Sequence, residues 1–160
     1  MNTTVTIHNA TKLWQLLELA INDAEALQNN PRYKLDMHSW HDGIGISRLN
    51  PSVCYVCMVC YVCMAGAVMA RQLAANPTEN LVPSNYDSDI RRKLSAINQL
   101  RLGNIDTAYY RLHSCEVPLK KLSGELVEFC QAAESDSARP QLNNFKAHKA
   151  LAAKLKELDI

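Results

Sequence analysis

The sequence predicts an all-α protein, a single domain over residues 1–160 in which about six helices surround a central apolar helix. Three observations support this fold class. Apolar residues recur at helical spacing through most of the chain, and the connections between these stretches are short. One uncharged run of eighteen residues, Val53 to Ala70, is apolar all round, as a helix enclosed by others must be. A chain of this length buries enough surface to fold without a disulfide or a metal.

The first helix is predicted over Thr11 to Asn29, where seven apolar residues form one stripe: Leu13, Leu16, Leu17, Ala20, Ile21, Ala24 and Leu27. Asn29-Asn30-Pro31 ends it, because proline cannot continue a helix. The next stretch, residues 33–48, mixes aromatic, polar and glycine residues. We expect a loop there, with at most a short hairpin.

The central helix is predicted from Asn50-Pro51, a capping residue followed by a proline at the first helical position, to Ala75. After a linker, Asp87 or Ser88 caps a further helix that continues to Gly103 with four inward residues: Ile90, Leu94, Ile97 and Leu100. Asn104 to Ser114 then begins again as a helix. Residues 89–114 therefore form a predicted helical hairpin with a glycine corner.

Two more helices complete the predicted fold. Pro118 opens one, with inward residues Leu119, Leu122, Leu126 and Cys130, and polar residues 134–139 separate it from the last. The last helix is predicted over Pro140 to Leu158, with an apolar stripe at Leu142, Phe145, Leu151, Leu155 and Leu158. His148 is placed on the polar flank of that stripe.

The unit Val-Cys-Tyr-Val-Cys-Met occurs twice in succession over residues 53–64. Its four cysteines are three residues apart, so on a helix they are spread over half the circumference and do not converge on one metal ion. Cysteine then serves as a small buried hydrophobe. An iron–sulfur cluster is the alternative, but its usual loop is non-helical and has proline after the last cysteine, where Met64 stands here.

No cofactor is expected, and zinc is the alternative. A candidate zinc site combines two ligand pairs, His38 with His41 and Cys54 with Cys57, each at a spacing that suits a two-ligand knuckle. A membrane span is not expected from the run Val53 to Ala70, because it contains no Leu, Ile or Phe.

The charge balance favours no single class of partner, with seventeen Lys and Arg against sixteen Asp and Glu and a net charge of +1. Nucleic acid remains an alternative partner through the basic hairpin 89–114, although Asp87, Asp89 and Asp106 interleave with its arginines. No phosphate-binding glycine loop, His-Glu-x-x-His motif or nucleophile elbow is present. A cysteine–histidine pair of His41 with Cys54 or Cys57 is the best catalytic candidate, and we predict no enzyme activity.

Two parts of the chain resemble a group of small, largely uncharacterised bacteriophage-encoded proteins. The first is Tyr33-Lys34-Leu35-Asp36-Met37-His38-Ser39-Trp40 followed by Cys60-Tyr61-Val62-Cys63-Met64-Ala65-Gly66-Ala67, an Asp-Met and Trp segment before a cysteine pair that leads into a Met-Ala-Gly helix. The second is the corner Leu100-Arg101-Leu102-Gly103-Asn104. This chain departs from the group by carrying the cysteine unit twice.

The resemblance implies a phage accessory protein that acts in the cytoplasm of the infected bacterium by binding a host protein, for example a component of host defence. The N-terminus lacks the features of a secretory signal, in agreement with that compartment. We expect the partner to bind the Trp40 loop and the basic hairpin, through Trp40, Arg91, Arg92, Arg101 and Arg111.

Overall fold

The computed structural model describes residues 4–37, 39–43, 60–137 and 145–160. These residues contain six α-helices: α1 Leu13–Leu27, α2 Met64–Gln72, α3 Ser88–Arg101, α4 Ile105–His113, α5 Gly124–Ser137 and α6 Lys146–Glu157. They also contain four short strands: β1 Tyr33–Leu35, β2 His41–Asp42, β3 Cys60–Val62 and β4 Asn80–Leu81. Two 3₁₀ turns, Pro83–Asn85 and Leu119–Lys121, complete the elements. The fold is mostly helical, and the small sheet corrects the prediction of an all-α protein.

Helix α1 confirms the predicted apolar stripe, and all seven of its residues are buried. The Gln15 side chain folds back to accept hydrogen bonds from the main-chain N–H groups of Thr11 at 2.8 Å and Lys12 at 3.1 Å. These two donors precede the helix and have no intrahelical acceptor, so the glutamine supplies one. The helix packs against α2, α3 and α6 and so occupies the centre that the sequence assigned to Val53–Ala70.

Residues 60–72 form strand β3 followed by helix α2, which corrects the single helix predicted from residue 51 to Ala75. Strand β3 lies between β1, to which it is parallel, and β2, to which it is antiparallel. Cys60 and Val62 are buried on one face while Tyr61 is half-exposed, the period of two that defines a strand. Valine, tyrosine and cysteine pack well on a pleated surface. The main-chain hydrogen bonds that β1 and β2 offer on either side favour a strand over a helix here.

The sheet has the order β1-β3-β2-β4, with β4 antiparallel to β2. β1 and β2 therefore do not pair with each other as the predicted hairpin near 33–48 requires, because β3 lies between them. Cys63 precedes α2 in an extended conformation, and the next six residues, Met64 to Met69, are all buried. The apolar character of this part of the run is confirmed, over a shorter helix.

The helical hairpin is confirmed. The Asp87 carboxylate accepts from the main-chain N–H of Ile90 at 3.0 Å and caps α3, whose four predicted inward residues are buried. Gly103 has a φ of +78° at the corner before α4. A side chain is strained in that left-handed conformation, and glycine is not.

Helices α5 and α6 pack against each other and are antiparallel. Glu125, near the start of α5, pairs with Lys154, near the end of α6, at 3.0 Å. Ser137, at the end of α5, lies 3.0 Å from His148, near the start of α6. The helix predicted from Pro118 begins later, at Gly124, and it continues through Glu134 to Ser137 where a polar linker was predicted.

The buried apolar side chains of all six helices and of β3 form one contiguous cluster. Among the elements that the structure describes, no helix has the length and apolar content needed to cross a bilayer.

Candidate functional site

The basic residues of the predicted hairpin make different contacts and do not have one common role. Arg91 and Arg92 are exposed on α3, and Arg92 makes an ion pair with Asp89 at 3.2 Å. Lys93 is buried, and its ammonium donates to the carbonyl oxygens of Ile7 and His8, each at 2.9 Å. This lysine fastens the N-terminal segment to α3. The three consecutive basic residues therefore do not form one exposed patch.

Arg101 lies at the end of α3 and is half-buried. Its Nε donates to the side-chain oxygen of Asn98 at 2.6 Å. Burial lowers the pKa of the guanidinium, and the neighbouring Cys63 and Asp36 partly oppose that shift. Arg101 is therefore held against the body of the protein, unlike Arg91 and Arg92.

Arg111 lines an open groove of about 550 Å³ beside α4, together with Asp106, Thr107, Tyr110, Glu116, Val117 and Leu122. Two apolar side chains in this groove are unusually exposed for their type, Tyr110 at 58% and Leu122 at 38%. Val117, which also lines the groove, is buried. The groove thus combines an exposed aromatic ring, aliphatic side chains, one guanidinium and two carboxylates, which is a typical composition for a protein-binding surface. We refer to it below as the Tyr110 groove.

Trp40 is half-buried and packs against the core. Its carbonyl accepts from the Cys63 main-chain N–H at 3.4 Å, at the start of α2. The residue also borders a smaller pocket of about 300 Å³ between β2 and β4. Trp40 and Arg111 lie in different pockets, so the predicted partner-binding residues do not form one site.

His41 and Cys60 form a buried pair in the sheet. The His41 Nδ1 lies 2.8 Å from the carbonyl oxygen of Glu79, and only a protonated nitrogen can donate to a carbonyl. The Nε2 is then the unprotonated nitrogen, 3.6 Å from the Cys60 sulfur. Burial lowers the pKa of His41, and burial, with the Asp42 carboxylate, raises the pKa of the Cys60 thiol to about 12. The thiol is neutral and unactivated at physiological pH.

The candidate zinc ligands cannot be compared as a set. His38, Cys54 and Cys57 lie outside the described residues, and so does the predicted catalytic pairing of His41 with either cysteine. Within the ranges that the structure describes, no group of three or more His, Cys, Asp or Glu side chains is arranged to hold a metal ion. His41 could offer a metal only its Nε2, since its Nδ1 is bound to Glu79.

A second histidine pair was missed by the sequence analysis. His148 is fully buried, which corrects its predicted position on the polar flank of α6. Its Nε2 lies 3.0 Å from the Ser137 hydroxyl and 3.1 Å from the carbonyl oxygen of Arg101, and the hydroxyl also contacts that carbonyl. A protonated Nε2 satisfies all three groups, because Ser137 then accepts from the imidazole and donates to the carbonyl. The cluster joins the ends of α3 and α5 to α6.

Neither pair is arranged as a nucleophile and its base. The proton on His148 Nε2 faces the Ser137 hydroxyl, so the imidazole cannot take a proton from it, and burial lowers the pKa of His148. In the sheet, the Cys60 sulfur lies 3.4 Å from Nδ1 and 3.6 Å from Nε2 of His41, so it is not in line with the Nε2 lone pair, and the thiol holds its proton. These side chains act as buried polar links between elements.

Comparison of the chain with protein-family models, with curated proteins and with solved structures found no match. The resemblance to phage proteins therefore stays a prediction.

Proposed function

We propose that this protein is a non-enzymatic phage accessory protein that binds a host protein in the cytoplasm of the infected bacterium, for example a component of host defence. The sequence resemblance supports the phage origin. The Tyr110 groove is the single observation that most directly supports binding, because it is an open concave surface with an exposed aromatic side chain.

The composition of the groove indicates how a partner would bind. Tyrosine and arginine are the residue types, with tryptophan, that most often dominate the energy of an interface. Tyr110 and Leu122 provide apolar contact area, and Arg111 lines the same groove. Asp106 and Glu116 add negative charge near that guanidinium. The complementary partner surface has an apolar side chain at its centre and charges of both signs around it.

The two buried histidine pairs support binding over catalysis. They contain the residue types of nucleophile–base pairs, but their protons are committed to main-chain carbonyls or held on an unactivated thiol. Arg91 and Arg92, predicted as partner-binding residues, are included in the proposed contact surface, since both are exposed on the hairpin that carries the groove.

The test begins with capture of host proteins from a bacterial lysate on the immobilised full chain, followed by identification and purification of the captured protein. Binding of that purified protein is then measured for three variants. Tyr110→Ala should weaken it by at least about thirtyfold, the loss expected for an interface hot spot of about 2 kcal/mol. Arg111→Glu should weaken it by about tenfold or more.

Lys34→Glu is the control, because it reverses an exposed charge on β1, outside both the groove and the hairpin. It should change the affinity by less than about threefold. Unchanged binding by Tyr110→Ala, with the protein still folded, would exclude the groove as the binding site.

A further inference from the structure

A second groove lies between α5 and α6. It has a volume of about 410 Å³ and is lined by Phe129 and Ala132 from α5 and by Ala147 and Ala150 from α6, with Glu128, Asp136 and Lys146 at its rim. The alanine side chains make this apolar surface shallow, so another helix can approach closely. The groove shares no residue with the Tyr110 groove.

The two helices that form the groove have opposite charge. α5 carries four carboxylates and no basic residue, namely Glu125, Glu128, Glu134 and Asp136. α6 carries four lysines and one carboxylate, namely Lys146, Lys149, Lys154, Lys156 and Glu157. Glu125 and Lys154 pair with each other, and Lys149 pairs with Glu25 on α1. Among the described residues, no ion pair engages the three charged side chains at the groove rim.

We propose that a second copy of this chain occupies the groove, forming a two-fold symmetric dimer. A two-fold interface brings the same surface of both copies together, so that surface must complement itself. The groove meets this requirement, because it has one acidic wall and one basic wall.

The charges also select the direction of the two-fold axis. When the axis runs parallel to the helices, α5 of each copy lies over α6 of the other, and the Asp136 carboxylate faces Lys146 of the second copy at the same end of the groove. When the axis runs across the helices, α5 lies over α5 and carboxylates face carboxylates. The first arrangement is favoured, and it places the two antiparallel helix pairs face to face in a four-helix layer.

The proposal is tested by analytical ultracentrifugation of the full chain over a wide range of protein concentration. The wild-type protein should be a dimer at high concentration. Lys146→Glu and Asp136→Lys should each weaken it by about tenfold, because every substitution alters two symmetry-related contacts. The double variant Lys146→Glu with Asp136→Lys should restore most of the wild-type dimer constant, since the two facing side chains exchange their charges.

Lys34→Glu is the control, a charge reversal at an exposed lysine on β1 away from the groove, and it should leave the dimer constant unchanged. Circular dichroism checks that all variants are folded. A wild-type protein that stays monomeric overturns the proposal, as does a dimer that the single reversals leave intact. Weakening by both single reversals without recovery in the double variant overturns the arrangement of α5 over α6.

Discussion

His41 and His148 are both buried, and both lie beside a side chain that enzymes use as a nucleophile, yet they donate hydrogen bonds through opposite ring nitrogens. His41 donates through Nδ1 to the Glu79 carbonyl and connects β2 to the segment before β4. His148 donates through Nε2 at the junction of three helices. Proximity of histidine to cysteine or serine therefore does not make a catalytic pair, because the direction of each proton decides the role.

Each histidine site also depends on a glycine that lets two main-chain segments approach. A Cβ atom on Gly66 of α2 would overlap the carbonyl of Trp40, the residue before His41. A Cβ atom on Gly103 would overlap the carbonyl of Cys130 on α5, close to the Arg101 carbonyl that His148 binds. The obstacle is main chain at both positions, so it cannot move aside as a flexible side chain would.

The largest expected effects on stability come from adding a Cβ atom at these two glycines. Gly103→Ala should lower the free energy of unfolding by about 3 kcal/mol or more, because overpacking costs about 1–3 kcal/mol and the left-handed φ adds strain. Gly66→Ala should lower it by about 1–3 kcal/mol, the cost of overpacking alone. Chemical denaturation monitored by circular dichroism measures the change.

Gly124→Ala is the matched control, because a Cβ atom there meets no atom within 4 Å. It should leave stability unchanged or raise it by up to about 1 kcal/mol. Equal stability of all three alanine variants would contradict the close approach at both histidine sites.

Periodicity was sufficient to predict the helices whose apolar stripe repeats without interruption, α1 and the α3–α4 hairpin with its glycine corner at Gly103. It failed at Cys60–Val62, because residues of that composition suit either a buried helix or a buried strand. The decision comes from pairing with β1 and β2, which are distant in sequence. A single stretch of sequence does not contain that information.

The residues of the candidate sites also differ in whether the sequence could predict them. Arg111 was predicted as a partner-binding residue, and Tyr110 beside it was missed. Its exposure could have been read from the sequence, because Tyr110 lies outside the apolar stripe of α4, which consists of Ile105, Ala108 and Leu112. The burial of His148 could also have been read from its spacing, three residues after Phe145 and three before Leu151, both of which are buried. Lys93 could not be predicted, because its acceptors are main-chain carbonyls more than eighty residues earlier in the chain.

Asp23 on α1 is a third buried titratable group. Its Oδ1 accepts from Arg71 at 3.0 Å, but burial outweighs that attraction and raises the pKa of Asp23 from 3.8 to about 6. The folded protein therefore binds a proton between pH 4 and 6 that the unfolded chain does not, so acidification stabilises it through Asp23. The lowered pKa values of His41 and His148 act in the opposite sense, and stability is lost as pH falls below 6.5.

Asp23→Asn should isolate the carboxyl contribution. The difference in unfolding free energy between wild type and variant should shift in favour of wild type by up to about 3 kcal/mol from pH 7 to pH 4, which corresponds to a pKa shift of about two units. Denaturation at a series of pH values measures this difference, in which the contributions of the other groups cancel. A difference that stays constant over the series would mean that Asp23 has an ordinary pKa in the folded protein.

The smallest effect tests the opposite nitrogens directly. The amide nitrogen of asparagine takes the place of a histidine Nδ1, and that of glutamine takes the place of Nε2. His41→Asn should therefore keep the hydrogen bond to the Glu79 carbonyl that His41→Gln loses. His148→Gln should keep the hydrogen bond to the Arg101 carbonyl that His148→Asn loses. Each retained bond should make its variant more stable than the other by about 1 kcal/mol.

All four variants lose the packing of a buried ring, so each is expected to be less stable than wild type. The test is therefore which of the two variants at each site has the higher free energy of unfolding. The order should reverse between the two sites, with asparagine favoured at position 41 and glutamine at position 148. The same order at both sites would show that side-chain volume, and not the choice of ring nitrogen, decides stability there. A reversed order establishes that both imidazoles are fixed as donors to the main chain, and a ring fixed in that way links structural elements and does not transfer protons.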